Sequence, residues 1–376
     1  MKSYAFIGGD PGRTFVAGDE GPKLPLSLRW RAQGIDNCAM TSPLKEHSRI
    51  VVCDDAHGDR VSRLYCFDAG TGYQLWNHEN NAPGTSTLGC LVNGLALYYR
   101  SDEREGHLRA LRIADGSLAW ENREMHVGGS PLVVAGRVIL DWWDGSVQHI
   151  AMIEPEAGDA LWRKRCEVER WPMAVGDGLI LLREDHERPG QKVACISLED
   201  GRDLWQSDLS EVGRYWDPAR RESVPGGAVV LTAIGRRAWC PLTPGKLACL
   251  DLRDGSIVWT RSFDRGAPST PIPADGKVYF TTMESFHCLE AATGRDVFSV
   301  GGIADESKGS PGHTSGFIAG DYYFYAGGRS VYARDRHTGK TVWRYEGDSI
   351  FTPPFFSGGS LYTSCLNGHV YCFGPE

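Results

Sequence analysis

Two histidines, His126 and His313, are the residues of this chain best suited to chemistry, because they lie in polar loops outside its regular sequence pattern. An imidazole can bind a metal ion or act as a general base near neutral pH. Each loop holds one histidine and the chain has no His-x-His pair, so the sequence predicts no metal site. The simpler interpretation, that both are ordinary loop residues, stays open.

The elements that must position these residues come from one short pattern that occurs seven times. Each copy has an apolar strand, a turn that contains glycine, and an aromatic residue four positions after that glycine. The aromatic residues are spaced by 39 to 54 residues, a period typical of a propeller or solenoid. They are Trp76, Trp120, Trp162, Trp205, Trp259, Phe298 and Trp343.

The strand before each turn has a position that is always small or soft. A glycine turn favours a tight hairpin, because glycine adopts positive φ without steric cost. Five of the 11 cysteines occupy the small position in different copies, and such positions are held apart in a propeller. We therefore predict that the cysteines are reduced and structural rather than paired. These five are Cys66, Cys195, Cys249, Cys288 and Cys372.

The two ends of the chain predict how the repeats close into a ring. The segment SLRWRAQG (27–34) resembles an outer strand without a partner, with Trp30 in the aromatic position. The segment HVYCFGPE (369–376) repeats the inner part of the pattern and stops before any turn. Pairing of these ends leaves only short, protected sheet edges. We predict an all-β, eight-bladed propeller of four-stranded antiparallel blades over 24–376, preceded by an N-terminal extension over 1–23.

The repeat resembles the pyrroloquinoline-quinone-type propeller repeat, A-x-D-x-x-T-G-x-x-x-W, most fully in FDAGTGYQLW (67–76) and ARDRHTGKTVW (333–343). The family includes quinone-dependent alcohol dehydrogenases and extracytoplasmic sensor domains. It also includes the lipoprotein propeller of the outer-membrane assembly machinery, an interaction scaffold that is closest in size to this chain. Because one fold carries such different activities, the resemblance implies the fold and does not select a function.

The enzymes of this family would imply two cofactors, pyrroloquinoline quinone and calcium. Those enzymes stack the quinone against a disulfide of two adjacent cysteines, beside a calcium ion held by Glu, Asn and Asp. This chain has no adjacent cysteines and no Cys-x-x-Cys-His haem motif. We therefore expect neither cofactor.

The propeller predicts where the chemical candidates lie, because the innermost strand of each blade should begin shortly after the preceding outer aromatic residue. The loops before these strands converge on the axis, where a concave site can bury a small ligand. We predict an axial ligand-binding mouth from the residues at this offset: Asp36, Thr85, His126, Trp171, Arg221 and His313.

A second candidate surface is the segment EVGRYWDPARRESVPGG (211–227), which lies in the longest interval between two closing aromatic residues. Long loops on rigid scaffolds often carry binding function, and Tyr, Trp and Arg dominate protein-interaction hot spots. We predict a protein-binding surface at Tyr215, Trp216 and Arg220. The alternative is a loop that is tolerated because a longer loop costs little stability.

The composition restricts the partner and the compartment. A net charge of −8 argues against nucleic acid as the main partner, since phosphate binding needs a concentrated basic surface. The N-terminal residues lack the apolar run of a secretory signal, and no stretch approaches the roughly 20 apolar residues of a membrane span. We expect a cytoplasmic protein without a membrane span.

Together, these observations favour a non-catalytic propeller that binds a protein partner or senses a small-molecule ligand. The main alternative is a lyase, isomerase or hydrolase that acts on a small polar substrate in the axial funnel. A quinone-dependent oxidoreductase is less favoured. Ionisable groups with perturbed pKa values in the funnel would favour an enzyme, and an exposed apolar or aromatic patch would favour a scaffold.

Overall fold

The protein, seen in a computed structural model, is an all-β propeller of eight four-stranded antiparallel blades, which confirms the architecture predicted from the repeats. Within each blade the strands follow one another from the axis to the rim. The structure describes residues 9–10, 13, 15–17, 21–33, 42–54, 61–79, 86–100, 107–185, 192–212, 215–217, 221–224, 231–242, 245–263, 268–303 and 316–376.

The first four blades use consecutive strands of the chain, innermost strand first. Blade 1 consists of β2 (Leu44–Glu46), β3 (Arg49–Cys53), β4 (Arg63–Asp68) and β5 (Gln74–Glu79). Blade 2 consists of β6 (Ser86–Val92), β7 (Leu95–Arg100), β8 (Leu108–Arg112) and β9 (Leu118–Asn122). Blade 3 has two short innermost strands, and it consists of β10 (His126–Val127), β11 (Leu132–Val134), β12 (Arg137–Asp144), β13 (Val147–Ile153) and β14 (Ala160–Arg165). Blade 4 consists of β15 (Glu169–Gly176), β16 (Leu179–Asp185), β17 (Lys192–Ser197) and β18 (Asp203–Asp208).

A two-stranded hairpin separates blade 4 from blade 5, and it consists of β19 (Tyr215–Asp217) and β20 (Glu222–Val224). Blade 5 consists of β21 (Thr232–Ile234), β22 (Arg237–Leu242), β23 (Lys246–Asp251) and β24 (Ile257–Ser262). Blade 6 consists of β25 (Ile272–Ala274), β26 (Lys277–Thr281), β27 (Ser285–Glu290) and β28 (Asp296–Gly301). Blade 7 consists of β29 (Phe317–Ala319), β30 (Tyr322–Gly327), β31 (Ser330–Asp335) and β32 (Thr341–Glu346).

Blade 8 closes the ring with strands from both ends of the chain. Its strands are β33 (Phe355–Ser357), β34 (Ser360–Ser364), β35 (His369–Pro375) and, outermost, β1 (Leu26–Gln33). β1 pairs antiparallel with β35 from Leu26 opposite Pro375 to Gln33 opposite His369. The ring closure predicted from the two chain ends is therefore confirmed.

Each closing tryptophan joins its blade to the next one. Its indole Nε1–H donates to a backbone carbonyl of the following blade over 2.8 to 3.2 Å. The turn glycine is required beside this ring, because a Cβ added to Gly72 would come within 2.6 Å of Trp30. Phe298 has no N–H, and there the buried Arg334 of blade 7 donates to the Gly301 carbonyl of blade 6 instead. The acceptors of the tryptophans are the carbonyls of Leu26, Ala69, Ile113, Pro155, Leu198, Leu252 and Ala291.

The inner three strands of the blades supply the core, and the cysteines belong to it. Ten of the cysteines lie among the described residues, and all ten are buried thiols outside any disulfide. This confirms for them the prediction of reduced, structural cysteines, whereas Cys38 lies outside the described residues. Along the described chain, no helix is long and apolar enough to cross a membrane.

Candidate functional site

Two of the six predicted mouth residues lie at the starts of neighbouring blades. His126 is the first residue of β10, and Trp171 is the third residue of β15. The Trp171 ring lies against the link between β10 and β11, since a Cβ added to Gly128 would come within 2.8 Å of it. The fold thus brings the starts of blades 3 and 4 together at one end of the axial channel, which we call the axial mouth. A ligand-binding role for these two residues stays a prediction.

Arg221 lies elsewhere than the sequence offset indicates. It is exposed, has a φ of 53°, and directly precedes β20 in the hairpin between blades 4 and 5. The innermost strand of blade 5 begins only at Thr232, so the expected start of that strand near Arg221 is wrong. The physical reason is the insertion, which adds a hairpin before the blade begins. The other predicted mouth residues, Asp36, Thr85 and His313, lie outside the described residues.

The predicted partner surface falls on the same hairpin. Tyr215 and Trp216 belong to β19, where Tyr215 pairs with Val224, and Arg220 lies outside the described residues. The base of the insertion is anchored, because Lys246 Nζ donates to the Val212 carbonyl at 2.6 Å. The insertion connects an outer strand to the next innermost strand, so it leaves and rejoins the propeller on the face of the axial mouth.

The mouth contains a buried carboxyl group that the sequence analysis did not identify, Asp141 of β12. It is 1% exposed, and its Oδ1 accepts a hydrogen bond from the Gly129 N–H at 2.9 Å. Its Oδ2 has no hydrogen-bond partner among the described residues. Tyr99 Oη donates to the Gly129 carbonyl at 2.9 Å, which ties blade 2 to the same link. The available signal was a carboxylate within the apolar run VILDWW (138–143).

Burial perturbs the titration of this group. Desolvation raises the pKa of Asp141 to about 7, because loss of water disfavours the charged carboxylate more than the Gly129 N–H stabilises it. Burial also raises the pKa of the Tyr99 hydroxyl, and the negative charge of Asp141 acts in the same direction. A carboxyl that titrates near neutral pH can exchange a proton with a bound molecule, as a general acid or base must.

The N-terminal segment of the chain occupies the axial channel. The Ala17 N–H donates to the Ile318 carbonyl at 2.7 Å, and the Ile318 N–H donates to the Phe15 carbonyl at 2.8 Å, on the axis-facing edge of β29. Across the ring, Arg13 Nη2 donates to the Ser130 carbonyl of blade 3 at 2.8 Å. Because blades 3 and 7 face each other in an eight-bladed ring, this segment spans the channel. Arg13 is 6% exposed and Phe15 is 4% exposed, so both fill it.

A quinone–calcium centre does not fit the residues described at the mouth. Arg13 and Phe15 lie in the space where such a group would stack. No group of three or more His, Cys, Asp or Glu residues within the described ranges is arranged to hold a metal ion. Asp141 is the buried carboxyl at the mouth, and burial raises its pKa to about 7 although hydrogen bonds, including that from the Gly129 N–H, act to lower it.

Comparison with known sequences shows a family match over most of the chain. A family model described as outer membrane protein assembly factor BamB matches residues 60–211 and 189–374. Outer membrane protein assembly factor BamB from Yersinia pestis is 23% identical over 335 residues, which cover 84% of this chain and 80% of that protein.

Solved structures with the same fold include an assembly factor and an enzyme. BamB from Moraxella catarrhalis superposes with a TM-score of 0.67 at 14% identity, over 93% of this chain and 100% of that chain. Quinohemoprotein alcohol dehydrogenase from Comamonas testosteroni superposes with a TM-score of 0.71 at 12% identity, over 100% of this chain and 81% of that chain. At these identities the likeness shows the fold alone.

Proposed function

This chain belongs to the family described as outer membrane protein assembly factor BamB, and on that basis we propose that it is a non-catalytic propeller that binds a protein partner. The observation that carries the proposal is the sequence match, which spans the blades from residue 60 to residue 374. The similar curated sequences are named as assembly factors, whereas the likeness to a dehydrogenase is one of fold.

The filled channel supports the same proposal. An enzyme that used the axial mouth would need a concave space for its substrate. Arg13 and Phe15 take up that space, and their contacts reach from blade 7 to blade 3. A substrate would therefore have to displace a buried part of the chain before any reaction.

The partner surface that we propose is the β19–β20 hairpin. It stands between two blades on an anchored base, and its sequence combines tyrosine, tryptophan and arginine, the residue types that most often carry interface energy. An anchored base favours binding, because the propeller then loses little conformational entropy when the partner binds.

Site-specific photo-crosslinking tests this assignment. A benzophenone amino acid at position 216 should yield one discrete adduct in cells that express the chain from its own gene. The matched control is position 73, where Tyr73 is 75% exposed in the turn of blade 1, and it should yield none. Adducts of equal intensity from both positions, or none from position 216 in a folded protein, would contradict the hairpin as the partner surface.

The second candidate function is an enzyme of the axial mouth, and the buried carboxyl of Asp141 is the observation that favours it. Its pKa of about 7 suits proton transfer at neutral pH. In that case Asp141→Asn should abolish the activity on a small polar substrate and leave the crosslink from position 216 unchanged. Loss of the crosslink with retained activity would exclude the mouth as the active site.

The predicted lack of quinone and calcium has its own test. Ligands that bind the native state raise the melting temperature by mass action. Addition of pyrroloquinoline quinone with calcium should leave the melting temperature unchanged and support no dye reduction with simple alcohols. A shift of several degrees at micromolar quinone would refute the non-catalytic proposal in favour of an oxidoreductase.

We further propose that the chain works in a reducing compartment, as expected of the cytoplasm. The ten described cysteines are buried thiols outside any disulfide, which suits a compartment where thiols stay reduced. Fractionation of the source cells tests this, and recovery of the chain with the envelope fraction would overturn it.

A further inference from the structure

A cavity of about 300 Å³ opens between blades 5 and 6, on the face opposite the axial mouth. Its walls come from the β21–β22 turn, the β25–β26 turn and the residues that follow β27. The volume lies at the lower end of the range of small-ligand sites. Most of the lining is apolar, from Ile234, Trp239, Pro273, Ala274, Ala291 and Ala292.

The corresponding space between blades 8 and 1 is filled by the chain itself. Tyr362 of blade 8 is equivalent in position to Trp239 of blade 5. Each pairs with a cysteine of the repeat on the following strand, Tyr362 with Cys372 and Trp239 with Cys249. Tyr362 Oη donates to the Ala69 carbonyl of blade 1 at 3.4 Å. The Lys45 ammonium lies over the Tyr362 ring, 6.0 Å from its centroid, so a cation and an aromatic ring occupy the gap.

Between blades 5 and 6 the residues at the same positions leave the gap open. Pro273 stands where blade 1 has Lys45. The turn residue is alanine in both blades, Ala291 in blade 6 and Ala69 in blade 1. The equivalent turn residues of blades 2 to 5, whose carbonyls accept the tryptophan hydrogen bonds, are Ile113, Pro155, Leu198 and Leu252. The open gap between blades 5 and 6 therefore follows from Pro273 at the position where blade 1 has the long side chain of Lys45, beside a turn alanine.

The cavity also borders a buried donor without an acceptor. Trp239 is 2% exposed, and its indole N–H has no hydrogen-bond partner within the described part of the chain. The nearby Ala291 carbonyl already accepts the indole N–H of Trp259 at 3.0 Å. An unsatisfied buried donor is unfavourable. An occupant that brings an oxygen atom to this wall would satisfy it.

The charges at the rim favour an anion. Arg237 is paired with Asp251 at 2.7 Å, and Asp275 is paired with Arg336 at 2.6 Å, so these charges are balanced. Lys277 also lines the cavity, and no hydrogen bond or ion pair from its ammonium to another described residue is formed. Its charge is available to a carboxylate, for which an ammonium is a favourable partner.

We propose that this cavity binds a small carboxylate with an apolar body. The body packs against Ile234, Pro273 and the alanines, and the carboxylate lies between the Lys277 ammonium and the indole of Trp239. The proposal does not depend on the protein-binding function, because the cavity and the hairpin lie on opposite faces of the propeller.

Fluorine NMR titration of the full chain tests the proposal with a defined pair of probes, 3-(4-fluorophenyl)propionate and its primary amide. Both should bind saturably at millimolar concentrations, and the acid should bind about fivefold more tightly through Lys277. Lys277→Met should remove the preference for the acid. Trp239→Phe should weaken both probes several-fold, and the exposed Lys340→Met serves as the control with unchanged binding.

Filling the cavity provides the decisive variant. Ala291→Leu installs the residue that blades 4 and 5 have at this position, and it should abolish binding of both probes while it raises the thermal midpoint. Ala274→Leu fills the cavity from the β25–β26 turn of the same blade, and it serves as the test if the Ala291 variant does not fold. The proposal is overturned if neither probe binds the wild type, if either filled variant binds as before, or if acid and amide bind equally.

Discussion

The interface between blades 8 and 1 and the interface between blades 5 and 6 are built from equivalent strands, yet one is filled and the other is hollow. In the first, Lys45 and Tyr362 close the gap with buried side chains. In the second, Pro273 stands at the position of Lys45, and a cavity of about 300 Å³ is left. The connectivity is the same at both interfaces, because the outermost strand of one blade is followed in the chain by the innermost strand of the next. The difference therefore lies in the side chains at the equivalent positions.

The axial mouth resembles the interface between blades 8 and 1, because both are filled by side chains of the protein itself. There too the chain covers its own concave surface, since Arg13 and Phe15 lie buried in the channel. A propeller would ordinarily be searched for ligands at its axis. In this molecule an open concave surface lies between blades 5 and 6 on the opposite face, and the following changes test that contrast.

Removal of residues 24–34 should have the largest effect, because it deletes β1 and leaves β35 as an exposed edge. We expect loss of soluble, cooperatively folded protein, measured by expression yield and circular dichroism. Trp30→Phe is the milder control: it keeps the strand, loses the indole hydrogen bond to Ala69, and should cost about 1 kcal/mol. A deletion variant with a wild-type unfolding midpoint would refute the role of the closure.

Asp141 should give the next largest effect, through the pH dependence of stability. Its folded pKa of about 7 exceeds the value of roughly 4 expected for an unfolded chain, so it contributes stability below pH 4 that is lost as the pH rises through 7. Relative to Asp141→Asn, the wild type should lose roughly 3 kcal/mol of unfolding free energy between pH 5 and pH 8.

Urea unfolding of both proteins at the two pH values measures this difference. Burial lowers the pKa of His287 to about 4, which gives a pH dependence of opposite sign, but that contribution is common to both proteins and cancels. A difference between wild type and variant that does not change with pH would show that the mouth is hydrated and not filled.

These contrasts mark what the sequence could and could not predict. The blades and their closure followed from local chemistry, since the turn before Trp76 and the unpaired strand around Trp30 are specified by neighbouring residues. The position of Arg221, the burial of Asp141 and the hollow interface depend on residues far apart in the chain. No periodic pattern encodes such contacts, so only the assembled ring could reveal them.

Lys45 tests the filled interface directly. Lys45→Ala should cost about 2 kcal/mol, because it removes a buried stem and leaves a cavity like the one between blades 5 and 6. Lys45→Met keeps the volume and should cost about 1 kcal/mol or less, although the polar contact to Ser357 and the cation–π contact to the Tyr362 ring are lost. Urea unfolding measures both. Equal stability of the alanine variant and the wild type would remove the distinction between the two interfaces.

The smallest expected effect is that of the two histidines that first suggested a site, His126 and His313. His126 is only partly buried at the first position of β10, and loop substitutions usually change stability by less than about 0.5 kcal/mol. The double alanine variant should therefore keep its melting temperature. Leu132→Ala is the matched control on the same blade, where the side chain is fully buried and truncation should cost about 3 kcal/mol. If the histidine variant is destabilised as strongly as that control, the histidines are core residues, and the axial mouth loses both of them as candidates for chemistry.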